Sequence, residues 1–181
     1  MLTKWEKISE EVVYRNNHWI YKLDKFEIPN KAKGEYHYVH TNGSTLIIPL
    51  LPSGKLLFVN QFRYLINREA VEFPCGVLEP NLSPEENAQK ELREETGYKA
   101  TNLIYAGKFI PYSRVSDEIC YVYIGTGLKA SPLSPDATEE FELLEISINE
   151  LEKQIETNRI EDGMTLAAWQ IAQNKIKLLP R

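Results

Sequence analysis

Over the first forty positions apolar and polar side chains alternate, as in Trp19-Ile20-Tyr21-Lys22-Leu23 and Tyr36-His37-Tyr38-Val39. A period of two puts each class on its own face of a pleated strand. The Asn-rich Arg15-Asn16-Asn17-His18 and the stretch from Pro29 to Gly34 interrupt the pattern, which predicts a small antiparallel sheet joined by turns. Ser44-Thr45-Leu46-Ile47-Ile48-Pro49-Leu50-Leu51 reads as a buried strand, Pro52-Ser53-Gly54 as a turn, and Lys55-Leu56-Leu57-Phe58-Val59-Asn60 as its hairpin partner.

The period lengthens at position 83. Ser83 is placed as an N-cap, Pro84 as the first helical residue and Glu86 as the closing member of a capping box. Gly97 supplies the left-handed residue that ends a helix over 83–96. Strands follow at 103–109 and 119–124, a loop at 131–136 and a last strand at 142–146. Ser147-Ile148-Asn149-Glu150 predicts a second capping box, opening a helix with Leu151 and Ile155 four apart. A final helix over 162–177 carries Leu166, Trp169, Ala172 and Ile176 as its apolar stripe. Strands, a helix, more strands and two helices predict an α+β domain with a mixed sheet between helices.

The chain has 181 residues, enough for one domain with a real core. Its 21 Lys and Arg against 26 Asp and Glu give a net charge of −5, which argues against a nucleic-acid partner bound through clustered cations. No apolar run reaches the roughly 20 residues of a membrane helix, and positions 1–11 lack a signal peptide's apolar stretch. Two cysteines, Cys75 and Cys120, make no disulfide framework. A cytoplasmic protein is expected. Of the three histidines, His37 and His40 face opposite ways on a strand and His18 sits in a polar turn. Trp5, Trp19 and Trp169 read as packing anchors, with a dimer groove as the alternative near the N-terminal sheet.

The candidate chemistry lies on the first helix. Glu91 and Glu95 share a face at i,i+4, Glu94 adjoins both, and Ala88 with Leu92 forms the opposite, sheet-facing side. Clustered carboxylates repel one another unless a cation sits among them, and hard divalent cations take carboxylate oxygens. A solvated acidic face with Lys90 and Arg93 as counterions is the plainer reading. Against it, acids in the last turns oppose the helix dipole, a local conflict that functional sites tolerate.

The stretch Gly76-x5-Leu82-x7-Lys90-Glu91-Leu92-Arg93-Glu94-Glu95-Thr96-Gly97-Tyr98 resembles the Nudix box, Gly-x5-Glu-x7-Arg-Glu-U-x-Glu-Glu-x-Gly-U, with U a bulky apolar residue. The spacing matches throughout; Leu82 replaces the first Glu and Lys90 the Arg. Asn60-Gln61-Phe62-Arg63-Tyr64, the run from Arg68 to Pro80, Gly107-Lys108-Phe109-Ile110-Pro111 and Ser116-Asp117-Glu118 resemble the ADP-ribose pyrophosphatase-like subgroup.

The resemblance implies a Nudix-type α/β/α sandwich over 44–181 and a small, dimerising antiparallel sheet over 1–43. It also implies metal-dependent hydrolysis of a pyrophosphate bond in a nucleoside diphosphate linked to another moiety. ADP-ribose leads narrowly as substrate over nucleotide sugars such as GDP-mannose. Two or three Mg²⁺ ions, or Mn²⁺, are implied on Glu91 and Glu95 as central ligands and the Cys75 carbonyl, with Glu94 a catalytic residue that either supports them as a ligand or stands behind the ligands. The general base is implied on the 131–142 loop, at Glu139 or Glu140. Arg63 and Arg68 reach either a phosphate or a neighbouring acid such as Glu72. Tyr112, Arg114 and Glu118 complete the candidate substrate contacts. Leu82 and Lys90 leave open a catalytically impaired domain that binds or senses a nucleotide sugar. If Leu82 packs as a staple at the helix entry, its loss of charge is harmless.

Overall fold

The computed structural model describes residues 2–179; Met1 of the expected 1–43 segment and Pro180 and Arg181 of the expected 44–181 domain lie outside them. The alternating N-terminal pattern forms the meander β1 (Glu6–Arg15), β2 (Ile20–Ile28) and β3 (Ala32–His40). Every residue of β1 is exposed, so this sheet has little beneath it. Trp5 and Trp19 therefore do not anchor a core: they are 50% and 38% exposed. Trp5 stacks on Phe26, whose ring lies over Gly34; a Cβ there would come within 2.7 Å of it.

β4 (Ser44–Pro49) and β5 (Leu56–Arg63) are not a hairpin. β4 lies in a mixed sheet with β7 (Cys75–Val77), β9 (Asn102–Phe109) and β10 (Cys120–Thr126), in the order β7-β4-β10-β9. β5 lies between β6 (Arg68–Glu72) and β12 (Glu142–Ile146) in an antiparallel sheet. Only an isolated bridge, Leu50 to Leu56, joins the two strands across the turn. The reason is burial on both faces: all of β4 and the first half of β5 are inaccessible. Each strand needs its own pair of covering layers, so the Pro52–Gly54 turn carries the chain from one sheet to the other.

α1 (Pro84–Thr96) covers one face of β4 and β10, and α3 (Gly163–Leu178) the other. Alternate residues divide accordingly. Ile47 and Tyr123 meet Ala88 and Leu92 of α1, whereas Leu46, Ile48, Val122 and Ile124 join Ala168, Trp169, Ala172 and Ile176 of α3. Phe58 and Phe73, stacked at 4.2 Å, tie the second sheet to this larger cluster. The expected α/β/α sandwich is present.

A two-strand ladder, β8 (Tyr98–Lys99) with β11 (Lys129–Ala130), follows α1 and is too short to show in the hydrophobic pattern. α2 (Ile148–Glu156) is N-capped by Ser147, which accepts from the Glu150 N–H, but the box is not closed. The Glu150 carboxylate accepts from Gln154 Nε2 instead. Among the described residues no helix is long and apolar enough to cross a membrane.

Candidate active site

α1 starts where the capping residues place it. Ser83 Oγ accepts from the Glu86 N–H and the Glu86 carboxylate accepts from the Ser83 N–H. It stops at Gly97, with φ of 75°. Between these ends the helix lays its polar edge against β7. Glu95 is 7% exposed and accepts from the Cys75 N–H at 3.3 and 3.4 Å. The Glu91 carboxyl group lies over Gly76, where a Cβ would stand only 2.2 Å from Glu91 Cδ. Any side chain at position 76 would displace that carboxylate.

Asn87, which the sequence reading passed over, is fully buried on the same helix. Its amide donates to Thr45 Oγ1 at 2.8 Å and to Glu91 Oε1 at 3.5 Å, and its oxygen accepts from the Glu79 N–H at 3.0 Å. One amide thus joins β4, the loop before α1 and the Glu91 carboxylate. The available signal was an Asn inside a strongly capped helix, a residue type that favours caps and turns unless its side chain has partners.

Burial pushes the Glu91 carboxyl up to about 7; Glu94, Glu139 and Glu79 add to the rise and Lys90 opposes it. Burial likewise pushes Glu95 up to about 9, reinforced by Glu91 and Glu139 and opposed by the Cys75 N–H and Arg63. Neither carboxylate has a cation close enough to overcome the loss of water. Glu94 differs, because it pairs directly with Lys90. Among the described residues no group of three or more His, Cys, Asp or Glu side chains is gathered to hold a metal ion. The donor chemistry nonetheless fits one: two hard-oxygen ligands one helical turn apart, Glu95 buried and Glu91 half-buried, with Gly76 clearing the space beside Glu91. Glu94 lies between them in sequence and pairs with Lys90.

The loop carrying Glu139 is anchored to the end of α1. Arg93 Nε donates to the Ser131 carbonyl at 2.9 Å, and the Ser131 N–H donates to the Gly97 carbonyl at 2.8 Å. Glu139 stands near enough for its charge to raise both Glu91 and Glu95. Glu140 instead lines a separate hollow with Asn60, Gln61 and Glu69.

Arg63 takes the acid rather than the open cleft: its Nε donates to Glu72 Oε1 at 2.9 Å and its Nη2 pairs with the second carboxylate oxygen. Arg68 pairs with Glu161. These four residues and Cys75 line one cleft of about 700 Å³. The Cys75 thiol is held well above its usual range by the neighbouring Cys120 thiol and by burial, which leaves it unsuited to be a nucleophile.

Tyr112, Arg114 and Glu118 do not line that cleft. They lie on the segment between β9 and β10, beside β3. The Arg114 carbonyl accepts from Tyr36, the Glu118 carboxylate accepts from Ser44 Oγ at 2.6 Å, and Tyr112 is 60% exposed. Leu82 makes no staple, since the position that would receive it is the polar Asn87.

A mixed sheet lies between helices, and one helix presses Glu91 and Glu95 against its edge strand β7. Residues 40–167 match the NUDIX domain family, and the chain belongs to it. It is 30% identical over 154 residues to a methanol dehydrogenase activator of Bacillus methanolicus, covering 84% of this chain and 83% of that protein. An ADP-ribose pyrophosphatase of Bacillus subtilis (strain 168) is 29% identical over 170 residues, covering 93% and 92%. A GDP-mannose pyrophosphatase of Yersinia enterocolitica is 27% identical, covering 96% and 97%. Among solved structures, an ADP compounds hydrolase shares the fold, with a TM-score of 0.87 at 19% identity, covering 98% of this chain and 96% of that one.

The raised carboxyl groups set a pH dependence. The folded chain holds these protons more tightly than the unfolded chain, whose carboxyls titrate near 4.5. Below that pH both states are protonated and nothing is lost; as pH climbs toward 9 the folded state is progressively penalised. Thermal melts in EDTA therefore show Glu95→Gln several degrees more stable than the wild type at pH 8 and indistinguishable from it at pH 4. Added Mg²⁺ or Mn²⁺ reverses the order at pH 8.

Proposed function

We propose that this chain hydrolyses the pyrophosphate bond of a nucleoside diphosphate linked to another moiety, with ADP-ribose as first substrate, giving AMP and ribose 5-phosphate. The observation that carries the reading is a pair of carboxylates on the box helix of a Nudix domain, Glu95 buried and Glu91 half-buried over Gly76, neither of them in a direct ion pair among the described residues. Relatives named for ADP-ribose and for GDP-mannose hydrolysis support the substrate class, and GDP-mannose-type nucleotide sugars are the second choice.

Glu91, Glu95, Glu94 and the Cys75 carbonyl would hold the divalent cations, which we take to be two or three Mg²⁺ with Mn²⁺ as the alternative. When bound, these ions neutralise the pyrophosphate and acidify the attacking water. Glu139 takes the water proton, a role supported by the effect of its charge on both Glu91 and Glu95. The water oxygen joins one phosphorus, the bridging P–O bond breaks, and the bridging oxygen leaves on the other phosphate. Glu72 keeps Arg63 at the cleft wall, where the guanidinium and Arg68 meet the phosphates. Tyr112, Arg114 and Glu118 are further substrate contacts in this reading, carried on the segment beside β3.

We take that second copy to dock through the N-terminal sheet, whose exposed Ile8, Val12, Val13 and Tyr14 favour a homodimer. Two free thiols, one of them fully buried, suit a reducing, cytoplasmic setting. The hold of Lys90 on Glu94 favours one competing reading, a Nudix domain that binds a nucleotide sugar without turnover.

In assays of AMP and sugar-phosphate release with Mg²⁺ or Mn²⁺, Glu91→Gln and Glu95→Gln lower kcat by about 1,000-fold or more. Glu139→Gln lowers it by about 100-fold or more while Glu140→Gln stays near the wild type. Wild-type rates in the first two variants contradict the catalytic reading, and binding without turnover in the wild type supports the sensor. Light scattering gives the mass of two chains; a monomer at assay concentration removes the dimer.

A further inference from the structure

The box pattern places an acid at position 82 and an Arg at position 90, but this chain has Leu82 and Lys90. Lys90 is not left without its acid. Its Nζ lies 3.1 Å from Glu79 Oε1 and also pairs with Glu94. Glu79 reaches it because the chain turns there: the Leu82 N–H donates to the Glu79 carbonyl at 3.1 Å, with Pro80 fixing the first corner. The backbone of Glu79 is held as well, its N–H donating to the buried Asn87.

Lys90 thus has two carboxylates and one charge. If it had only Glu94, recruiting Glu94 to a cation would strand a half-buried ammonium. With Glu79 alongside, Lys90 keeps a partner when Glu94 turns away. The Glu79–Lys90 pair is partly exposed and contributes little to stability by itself. Its effect is on placement, because it fastens the loop that follows Gly76 and β7 onto the helix that carries Glu91.

We infer that Glu79 is a positioning residue that stands in for the acid absent at position 82, holding Lys90 so that Glu94 is free to join Glu91 and Glu95 on a divalent cation. The inference rests on the pyrophosphohydrolase reading above. It places in Glu79 a duty that the box pattern assigns elsewhere, and it accounts for a Nudix domain keeping its function with Leu82.

The test is direct Mn²⁺ binding by electron paramagnetic resonance, beside steady-state kinetics on ADP-ribose. Glu79→Gln weakens Mn²⁺ binding by about 10–100-fold and leaves the KM for the nucleotide unchanged, with a melting temperature close to the wild type. Adding Leu82→Glu to Glu79→Gln restores Mn²⁺ affinity, while Leu82→Glu alone changes it little. Wild-type Mn²⁺ affinity in Glu79→Gln, or no rescue by Leu82→Glu, overturns the inference and leaves the catalytic reading intact. A wild-type chain that neither binds Mn²⁺ nor turns over any nucleotide overturns both.

Discussion

Two carboxylates of α1, one buried and one half-buried, are pressed against the edge strand β7 with no direct ion-pair partner among the described residues. Glu91 rests on Gly76 and Glu95 on the Cys75 N–H, and burial keeps both protons on well above the ordinary carboxylate range. Such an arrangement lowers the stability of the chain on its own. A divalent cation held there in place of the protons would relieve it, and that exchange is the physical basis of the proposed chemistry.

Much of the surrounding structure serves to hold this unfavourable pair in place. The capping box and Gly97 set where α1 begins and ends, and Ala88 and Leu92 seat it on Ile47 and Tyr123. Asn87 spans the gap to Thr45 and steadies Glu91 from behind. On the far face of the sheet, Trp169 and its neighbours on α3 make β4 and β10 a rigid floor. Arg93, on the acid-bearing helix itself, pins the start of the loop that carries Glu139. Among the described residues no buried side-chain nitrogen or oxygen lacks a hydrogen-bond partner, so the cost is concentrated in charge rather than in lost hydrogen bonds.

What the sequence made legible was local. Ser83, Pro84, Glu86 and Gly97 act within a few residues of their own position, and α1 follows them closely. The alternating N-terminal run and the apolar stripe of α3 are equally local signals, and both elements formed. The separation of β4 from β5 was not legible, because a run of apolar residues does not say which sheet covers it. Closure of the second capping box failed on Gln154, one turn away. The link of Asn87 to Thr45 depends on how α1 docks on β4, and that of Lys90 to Glu79 on how the loop between β7 and α1 turns, which residue spacing alone does not reveal. Nor does spacing reveal that Tyr112 and Arg114 lie beside β3 and outside the cleft lined by Arg63 and Arg68, because only the packing of the β9–β10 segment on β3 decides it.

The central claim is that Glu91 and Glu95 hold protons that a cation displaces. Calorimetric titration of Mn²⁺ at pH 7.5 in two buffers of different ionisation enthalpy counts the protons released on binding. The account predicts release of about one proton or more per chain, lost together with most of the affinity in Glu95→Gln. Binding with no proton release, or undiminished binding in Glu95→Gln, would contradict it.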